Sequence, residues 1–158
     1  MLGRLLHPRF LPIVFCRLGR AAWLRRIPVV PGFCAYMNLV LFGIEVAARC
    51  EIGPGIFFPH PSGTVVGAWR IGRNVSIFQG VTLGAQKLDI GFDPSLRPEI
   101  GDDVTIGAGA KVLGGILIGD GAVIGANSVV THPVEKGATV VGIPAMAVAQ
   151  RAEAARSM

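Results

Sequence analysis

The sequence predicts an all-β solenoid that follows an N-terminal helical arm and precedes a short C-terminal helix. From Ile100 onward the chain repeats every six residues, and each hexad begins with isoleucine or valine: Ile100, Ile106, Val112, Ile118, Ile124 and Val130. A period of six fits neither a helix nor an alternating strand, but it is typical of a solenoid in which each hexad is one short strand and a turn. The 22 glycines recur with this rhythm, as turns with positive φ require. Six uninterrupted hexads argue against an ordinary β-sandwich.

Residues 1–43 are predicted to form the helical arm. Seven arginines against Glu45 give the first 50 residues a charge of +6, while the rest of the chain is nearly neutral. The uncharged run from Ile27 to Ile44 contains prolines, so it is not expected to span a membrane, and no cleavable signal is evident. Two interpretations stay open. The helices pair subunits or cap the solenoid, or they form a basic amphipathic surface that rests on an anionic membrane.

Residues 44–143 are predicted to form the repeat domain. Its hexads begin upstream at Val46 and, after one extra residue at Thr64, resume at Val65. The register therefore slips immediately after His60, and local rules tend to break at functional sites. The motif around His60 reads FPHPSG, so prolines on both sides fix the backbone that presents the imidazole.

Two further segments depart from the repeat. Residues 86–98 are polar and turn-rich, and a loop of this length extruded from a solenoid is more often functional than accidental. A tolerated insertion on one face is the alternative. Residues 144–158 are predicted to form a C-terminal helix, because Pro144 can open the alanine-rich end of the chain.

Composition excludes several classes of protein. Hydrophobic residues make up 51% and charged residues 16%, which favours an extensive core over disorder. Three cysteines without C-x-x-C spacing indicate free thiols in a reducing cytoplasm, rather than a disulfide framework or a zinc site. Because the whole charge excess lies on the apolar arm, a nucleic-acid partner is not expected.

An ordered set of motifs resembles the hexapeptide-repeat acyltransferases, and within them serine acetyltransferase and its relatives. The segments GIEVAARCEIGPGIFFPHPSGTVVG, NVSIFQGVTLGA, IGAGAKVLGG and VVGIPA follow one another over roughly residues 44–146. The resemblance implies a left-handed parallel β-helix with three hexads per coil. It also implies direct transfer of acetyl from acetyl-CoA to a hydroxyl, in a homotrimer whose sites lie between neighbouring subunits. A dimer of trimers is a further option.

The resemblance assigns the catalytic base to His60. An imidazole with a pKa near neutrality can take the proton of a hydroxyl as it attacks a thioester. The alternative is a core histidine that bonds to a backbone carbonyl. The family's aspartate before this histidine is Pro59 here, and its second histidine aligns with Arg97. Asp89, Asp93 or Glu99 could replace the missing carboxylate.

These two departures bear on the acceptor. The second histidine belongs to the amino-acid site of serine acetyltransferases, so its loss slightly favours a sugar or glycan precursor, with L-serine close behind. Arg97, Glu99 and Asp93 are the predicted acceptor-binding residues. A catalytically inactive scaffold protein is the alternative from another class.

For acetyl-CoA, the resemblance implies backbone contacts at Gly84, Ala85, Ala108 and Ala126, where small residues let the pantetheine arm approach. Lys111 and Arg151 are the predicted phosphate partners. No metal is expected, because the zinc-dependent solenoid enzymes need three histidines and one of the three here, His7, lies outside the repeat. The protein is predicted to be cytoplasmic, with contact at the inner face of the membrane as an option.

Overall fold

A computed structural model describes residues 10–148, which form a helical hairpin followed by a parallel β-helix. The helices are α1 (Leu11–Leu24) and α2 (Val30–Phe42). The strands of this part of the chain are β1 (Ile44–Val46), β2 (Glu51–Ile52), β3 (Thr64–Val66), β4 (Arg70–Ile71), β5 (Ser76–Ile77), β6 (Thr82–Gly84), β7 (Glu99–Ile100), β8 (Thr105–Ile106), β9 (Lys111–Leu113), β10 (Leu117–Ile118), β11 (Val123–Ile124), β12 (Val129–Val130), β13 (Thr139–Gly142) and β14 (Ala145–Ala147). A 3₁₀ turn covers Pro94–Leu96.

Three sheets form the faces of the solenoid. Sheet 1 contains β1, β3, β6, β9 and β12, sheet 2 contains β2, β4, β7 and β10, and sheet 3 contains β5, β8, β11, β13 and β14. All neighbouring strands are parallel except β13 and β14. The chain visits the sheets in the same order on each coil, so the solenoid prediction is confirmed, and the fold is a left-handed parallel β-helix.

The core is built from columns of aliphatic side chains that stack from coil to coil. One column of sheet 3 consists of fully or almost fully buried side chains: Phe58, Ile77, Ile106, Ile124 and Val140. The residue after each inward position is often glycine, because the coils lie too close for a side chain. A Cβ added to Gly107 would lie 2.7 Å from the backbone nitrogen of Ala126.

The predicted phase of one hexad is wrong by a residue. Val66 rather than Val65 points into the core, with exposures of 1% and 37%. Val66 pairs with Leu83 in sheet 1, one residue later than the hexad count expects. The reason is that the turn after Phe58 holds two extra residues rather than one, and the next turn, from Val66 to Ile71, is one residue shorter than a hexad.

The helical hairpin packs against the first coil of the solenoid. Arg17 of α1 donates to the carbonyl oxygens of Ile52 and Gly53, and Arg20 donates to that of Arg49 at 2.6 Å. These contacts support the interpretation of the arm as a cap. Among the described residues, neither helix has the length and apolar character needed to cross a bilayer.

The structure corrects the predicted start of the C-terminal helix. Residues 145–147 form β14, which pairs antiparallel with β13 after a turn at Ile143 and Pro144. Pro144 therefore reverses the chain instead of opening a helix. The rest of the predicted helix, including Arg151, lies outside the described residues.

Candidate functional site

His60 lies in a turn at the corner where sheet 3 passes to sheet 1. Phe58 and Thr64 are buried at the two ends of this turn and hold it in the solenoid. Within the turn, the Gly63 N–H donates to the carbonyl oxygen of Gly43, at the end of α2, at 2.8 Å. The carbonyl oxygen of Ser62 accepts from Gly80 of the next coil at 3.1 Å. Hydrogen bonds therefore hold the turn to the end of α2 on one side and to the next coil on the other.

Two extra residues make this turn bulge outward. Gly63 stacks on Gly80, yet it lies five residues after its inward residue Phe58, whereas Gly80 lies three after Ile77. Pro59 and Pro61 have no N–H, so the bulge leaves few backbone donors to satisfy. His60 is exposed, and no described residue forms a hydrogen bond or ion pair with its side chain. The alternative of a core histidine bonded to a carbonyl is therefore excluded.

A column of backbone N–H groups runs along the same corner. Each group belongs to a residue that lies two positions after an inward aliphatic residue, namely Gln79, Ala108 or Ala126. The hydrogen bonds between coils are formed instead by the carbonyl oxygens of these residues or by the N–H groups of the residues that follow them. Gly109, for example, donates to the carbonyl oxygen of Gln79 at 2.8 Å. Within residues 10–148, no acceptor bonds to the N–H groups of Gln79, Ala108 or Ala126. We call these three N–H groups the open column.

The corner between sheets 2 and 3 shows that an open column is not a necessity of the fold. There the equivalent positions are Arg73, Asp102 and Asp120. The carboxylate of Asp102 accepts from the Arg73 N–H at 2.7 Å, and that of Asp120 accepts from the Asp102 N–H at 2.9 Å. The Arg73 backbone N–H and guanidinium lower the pKa of the Asp102 carboxyl. Alanine instead of aspartate at positions 108 and 126 therefore leaves the N–H groups of Gln79 and Ala108 free at the His60 corner.

Three more residues predicted to bind acetyl-CoA lie on or next to sheet 1. Lys111 begins β9 directly after the corner, and its Nζ donates to the Gly80 carbonyl oxygen at 2.6 Å. Gly84 ends β6, and Ala85 follows it. A Cβ added to Gly84 would meet nothing within 4 Å, so no contact with the described residues requires glycine there.

Arg97 holds the extruded loop together. Its Nε donates to the Asp89 carboxylate at 2.8 Å, its Nη1 donates to the Gly67 carbonyl oxygen at 2.8 Å, and the guanidinium lies 3.9 Å from the centroid of the Phe92 ring. The side chains of Arg97 and Asp89 are 12% and 5% exposed. Arg97 thus has a structural role that the sequence did not predict.

The other two predicted acceptor residues also have partners within the chain. Asp93 accepts from the hydroxyl and the backbone N–H of Ser95, and these two bonds lower its pKa. Glu99 lies on sheet 2, with Arg70 Nη1 3.7 Å away. None of these side chains touches His60, because the loop leaves from the opposite end of sheet 1. Their role in acceptor binding stays a prediction.

The structure therefore groups the predicted residues into two sets. His60, Ala108, Ala126 and Lys111 lie at or beside one corner, while Ala85, Asp93 and Arg97 lie at or beyond the other end of sheet 1. Sequence reasoning missed Gln79 and its N–H, although its position two residues after Ile77 was available as a signal. Residues 10–148 contain no group of three His, Cys, Asp or Glu side chains placed to hold a metal ion.

Comparison with known proteins supports the observed fold. Residues 97–132 match the family model of the bacterial transferase hexapeptide (six repeats). A serine acetyltransferase of Synechococcus elongatus is 40% identical over 89% of this chain and 57% of its own length. A serine acetyltransferase of Helicobacter pylori is 38% identical over 87% of this chain and 80% of its own length. A solved serine acetyltransferase in complex with CoA superposes with a TM-score of 0.79 and 38% identity, over 88% of this chain and 56% of that one.

The repeat and the fold together define a hexapeptide-repeat protein. The 38% identity to the Helicobacter pylori protein, over 87% of this chain and 80% of that one, shows which family within this class applies. The chain belongs to the serine acetyltransferase family. It spans 57% of the length of the Synechococcus elongatus relative and 80% of the length of the Helicobacter pylori relative.

Proposed function

We propose that this protein transfers the acetyl group of acetyl-CoA to the hydroxyl of L-serine, with His60 as the general base. The observation that carries the proposal is the open column beside an exposed imidazole. A solenoid corner of small residues with free N–H donors suits the amide-rich pantetheine arm, which must lie close to the backbone to bond with it. The family membership supports the same activity, and a solved member binds CoA.

The chemistry needs few groups. The imidazole of His60 accepts the proton of the acceptor hydroxyl while its oxygen attacks the thioester carbonyl carbon. A backbone N–H of the corner stabilises the oxyanion that forms. When the carbon–sulfur bond breaks, the imidazolium returns its proton to the CoA thiolate. Lys111 and Arg151 are proposed to contact the phosphates of CoA, and Gly84 and Ala85 to line its path.

L-serine is the first choice of acceptor because the relatives named above are serine acetyltransferases. This reverses the slight preference for a sugar that Pro59 and Arg97 gave from the sequence. A sugar or glycan precursor remains the second candidate on one observation. Arg97 occupies the position of the family's second histidine, and its guanidinium is held by Asp89, Gly67 and Phe92.

The proposal includes a homotrimer in the cytoplasm. The exposed His60 has no carboxylate partner among residues 10–148, which favours a site that a neighbouring subunit completes. The loop with Asp93 and Arg97, together with Glu99 of β7, is the proposed contribution of that neighbour. Free thiols at Cys16, Cys34 and Cys50 suit a reducing compartment. The arm adds two options, pairing of two trimers and contact with the inner face of the membrane.

The experiment is an acceptor screen with a matched pair of variants. The protein, acetyl-CoA and a panel of L-serine and sugars should release CoA thiol fastest with L-serine. His60→Ala should lower kcat by about 10²- to 10⁴-fold, as loss of a general base does. His132→Ala is the control, because His132 is exposed and bonds only with Thr131 in the described chain. Equal rates for His60→Ala and wild type would exclude His60 as the base.

A catalytically inactive scaffold is the alternative, and CoA itself separates the two functions. A ligand that binds the native state raises the melting temperature. Saturating CoA should therefore stabilise wild type and His60→Ala alike, since His60 acts on the acceptor. No shift in either protein would favour the scaffold.

A further inference from the structure

The arginines of the arm fall into two groups that the sequence could not separate. Arg17 and Arg20 are engaged with backbone carbonyls of the first coil. Arg49 donates to the Gly91 carbonyl oxygen at 2.6 Å and lies over the Trp23 ring at 4.8 Å. These three hold the hairpin and the loop on the solenoid. Arg25 and Arg26 lie instead at the turn between the helices and take no part in those contacts.

Arg25 and Arg26 are free to contact another partner. Arg25 donates only to the Ala21 carbonyl oxygen of its own helix, at 3.3 Å, and the Arg26 side chain has no hydrogen bond to any described residue. No acidic residue occurs between residues 10 and 44. The positive charge of this turn is therefore not neutralised within the described part of the chain.

The same turn exposes large apolar side chains. We define the hairpin tip as residues 23–33, where Val29 is 82%, Leu24 65% and Phe33 56% exposed. Trp23 and Ile27 are also exposed, and the tip surrounds an apolar cleft of about 660 Å³. Exposed apolar side chains beside arginines in one turn are typical of segments that bind at a membrane interface.

The backbone of the tip adds an independent observation. Val29 has a φ of 70° and Arg26 a φ of 56°. A β-branched residue at a positive φ is strained, and glycine would adopt this turn at a lower cost. Strain of this kind persists at functional sites, and here it presents an apolar side chain to the surroundings.

We propose that the hairpin tip inserts its apolar side chains into an anionic membrane leaflet, with Arg25 and Arg26 at the lipid headgroups. Charge favours this occupant over a second copy of the chain. A two-fold contact between two tips would bring the unneutralised arginines of both copies together. An anionic leaflet instead attracts them, and neither helix needs to span the bilayer. This inference does not rest on the acetyl-transfer proposal.

Vesicle flotation of the full chain tests the proposal. At low salt, the protein should bind vesicles of phosphatidylcholine with about one third phosphatidylserine, and binding should weaken with salt. The variant R25Q/R26Q should bind about 30-fold more weakly, which corresponds to about 1 kcal/mol for each arginine. The control K136Q removes one exposed positive charge from the solenoid and should bind like wild type.

A second variant tests insertion separately from charge. L24N/V29N removes two apolar side chains that are 65% and 82% exposed, and asparagine at position 29 is no more strained than β-branched valine, so the melting temperature should not fall. Its binding to the anionic vesicles should drop at least tenfold. Wild type that ignores these vesicles at low salt would overturn the proposal. A concentration-dependent increase in mass by light scattering that L24N/V29N abolishes, without vesicle binding, would identify a second copy as the partner instead.

Discussion

The open column predicts the effect of a single carboxylate at the His60 corner. In Ala126→Asp, the new side chain takes the position that Asp120 has at the corner between sheets 2 and 3. There the Asp120 carboxylate accepts from the N–H of Asp102 at 2.9 Å. Because Ile118 and Ile124 stack in the same way on the coil before them, the new carboxylate should accept from the N–H of Ala108.

This change should weaken CoA binding without harming the fold. One hydrogen bond is worth about 1 kcal/mol net, and the added side chain also fills the space over a small residue. The two effects together should raise the Kd for CoA by at least about tenfold, which corresponds to 1.4 kcal/mol. The new bond stabilises the corner, so the melting temperature should stay the same or rise by a few degrees. Isothermal titration with CoA and thermal melts without ligand measure the two quantities.

Two further variants serve as controls for Ala126→Asp. Ala126→Ser keeps a small side chain and no charge, so its Kd should remain within about threefold of wild type. Asp120→Ala frees the Asp102 N–H at the other corner, so it should lower the melting temperature by a few degrees and leave the Kd unchanged. The reasoning is refuted if Ala126→Asp binds CoA as wild type does.

Two other predictions concern stability. The lowered pKa of Asp102 means that its charged form stabilises the fold above the usual value of 3.8, and that this stabilisation is lost as the pH falls through the lowered pKa. In urea unfolding, Asp102→Asn should thus be less stable than wild type at pH 7, with a smaller difference at pH 3; a constant difference would contradict the assignment. Arg97→Ala should leave Asp89 buried without its partner, at a cost of about 3 kcal/mol or local opening of the loop. Trypsin should then cleave after the exposed Lys87 at least tenfold faster, whereas equal cleavage rates would show that Arg97 does not hold the loop.

The regular part of the fold could be predicted from the sequence because each coil obeys the same rule. An aliphatic residue every six positions and glycine at the turns leave little choice once coils stack on one another, as Ile100, Ile106 and Val112 show. The position at which the repeat is interrupted could be predicted, but not the number of extra residues there. The hexad count predicts a slip of one residue near Thr64, whereas the structure shows that Val66 points inward and that the next turn is shorter.

The partners of charged side chains could not be predicted, since they depend on contacts between distant segments. The alignment of Arg97 with a histidine predicts a role in acceptor binding, but its guanidinium contacts Asp89, Gly67 and Phe92. The arginines of the arm looked alike in the sequence. Long flexible side chains reach several alternatives, and only the packed fold determines which of them bond within the chain.

The repeat itself provides the internal standard against which a functional site can be recognised. Corners of one solenoid share backbone geometry, so a difference between them reflects side chains rather than the fold. At one corner Asp102 and Asp120 satisfy the N–H groups of neighbouring coils, and at the other Ala108 and Ala126 leave them free. Stability alone favours the aspartates, because they form hydrogen bonds that the alanines cannot. A corner that forgoes these bonds, and bulges beside them to expose His60, fits the proposed binding of a ligand with its own acceptors.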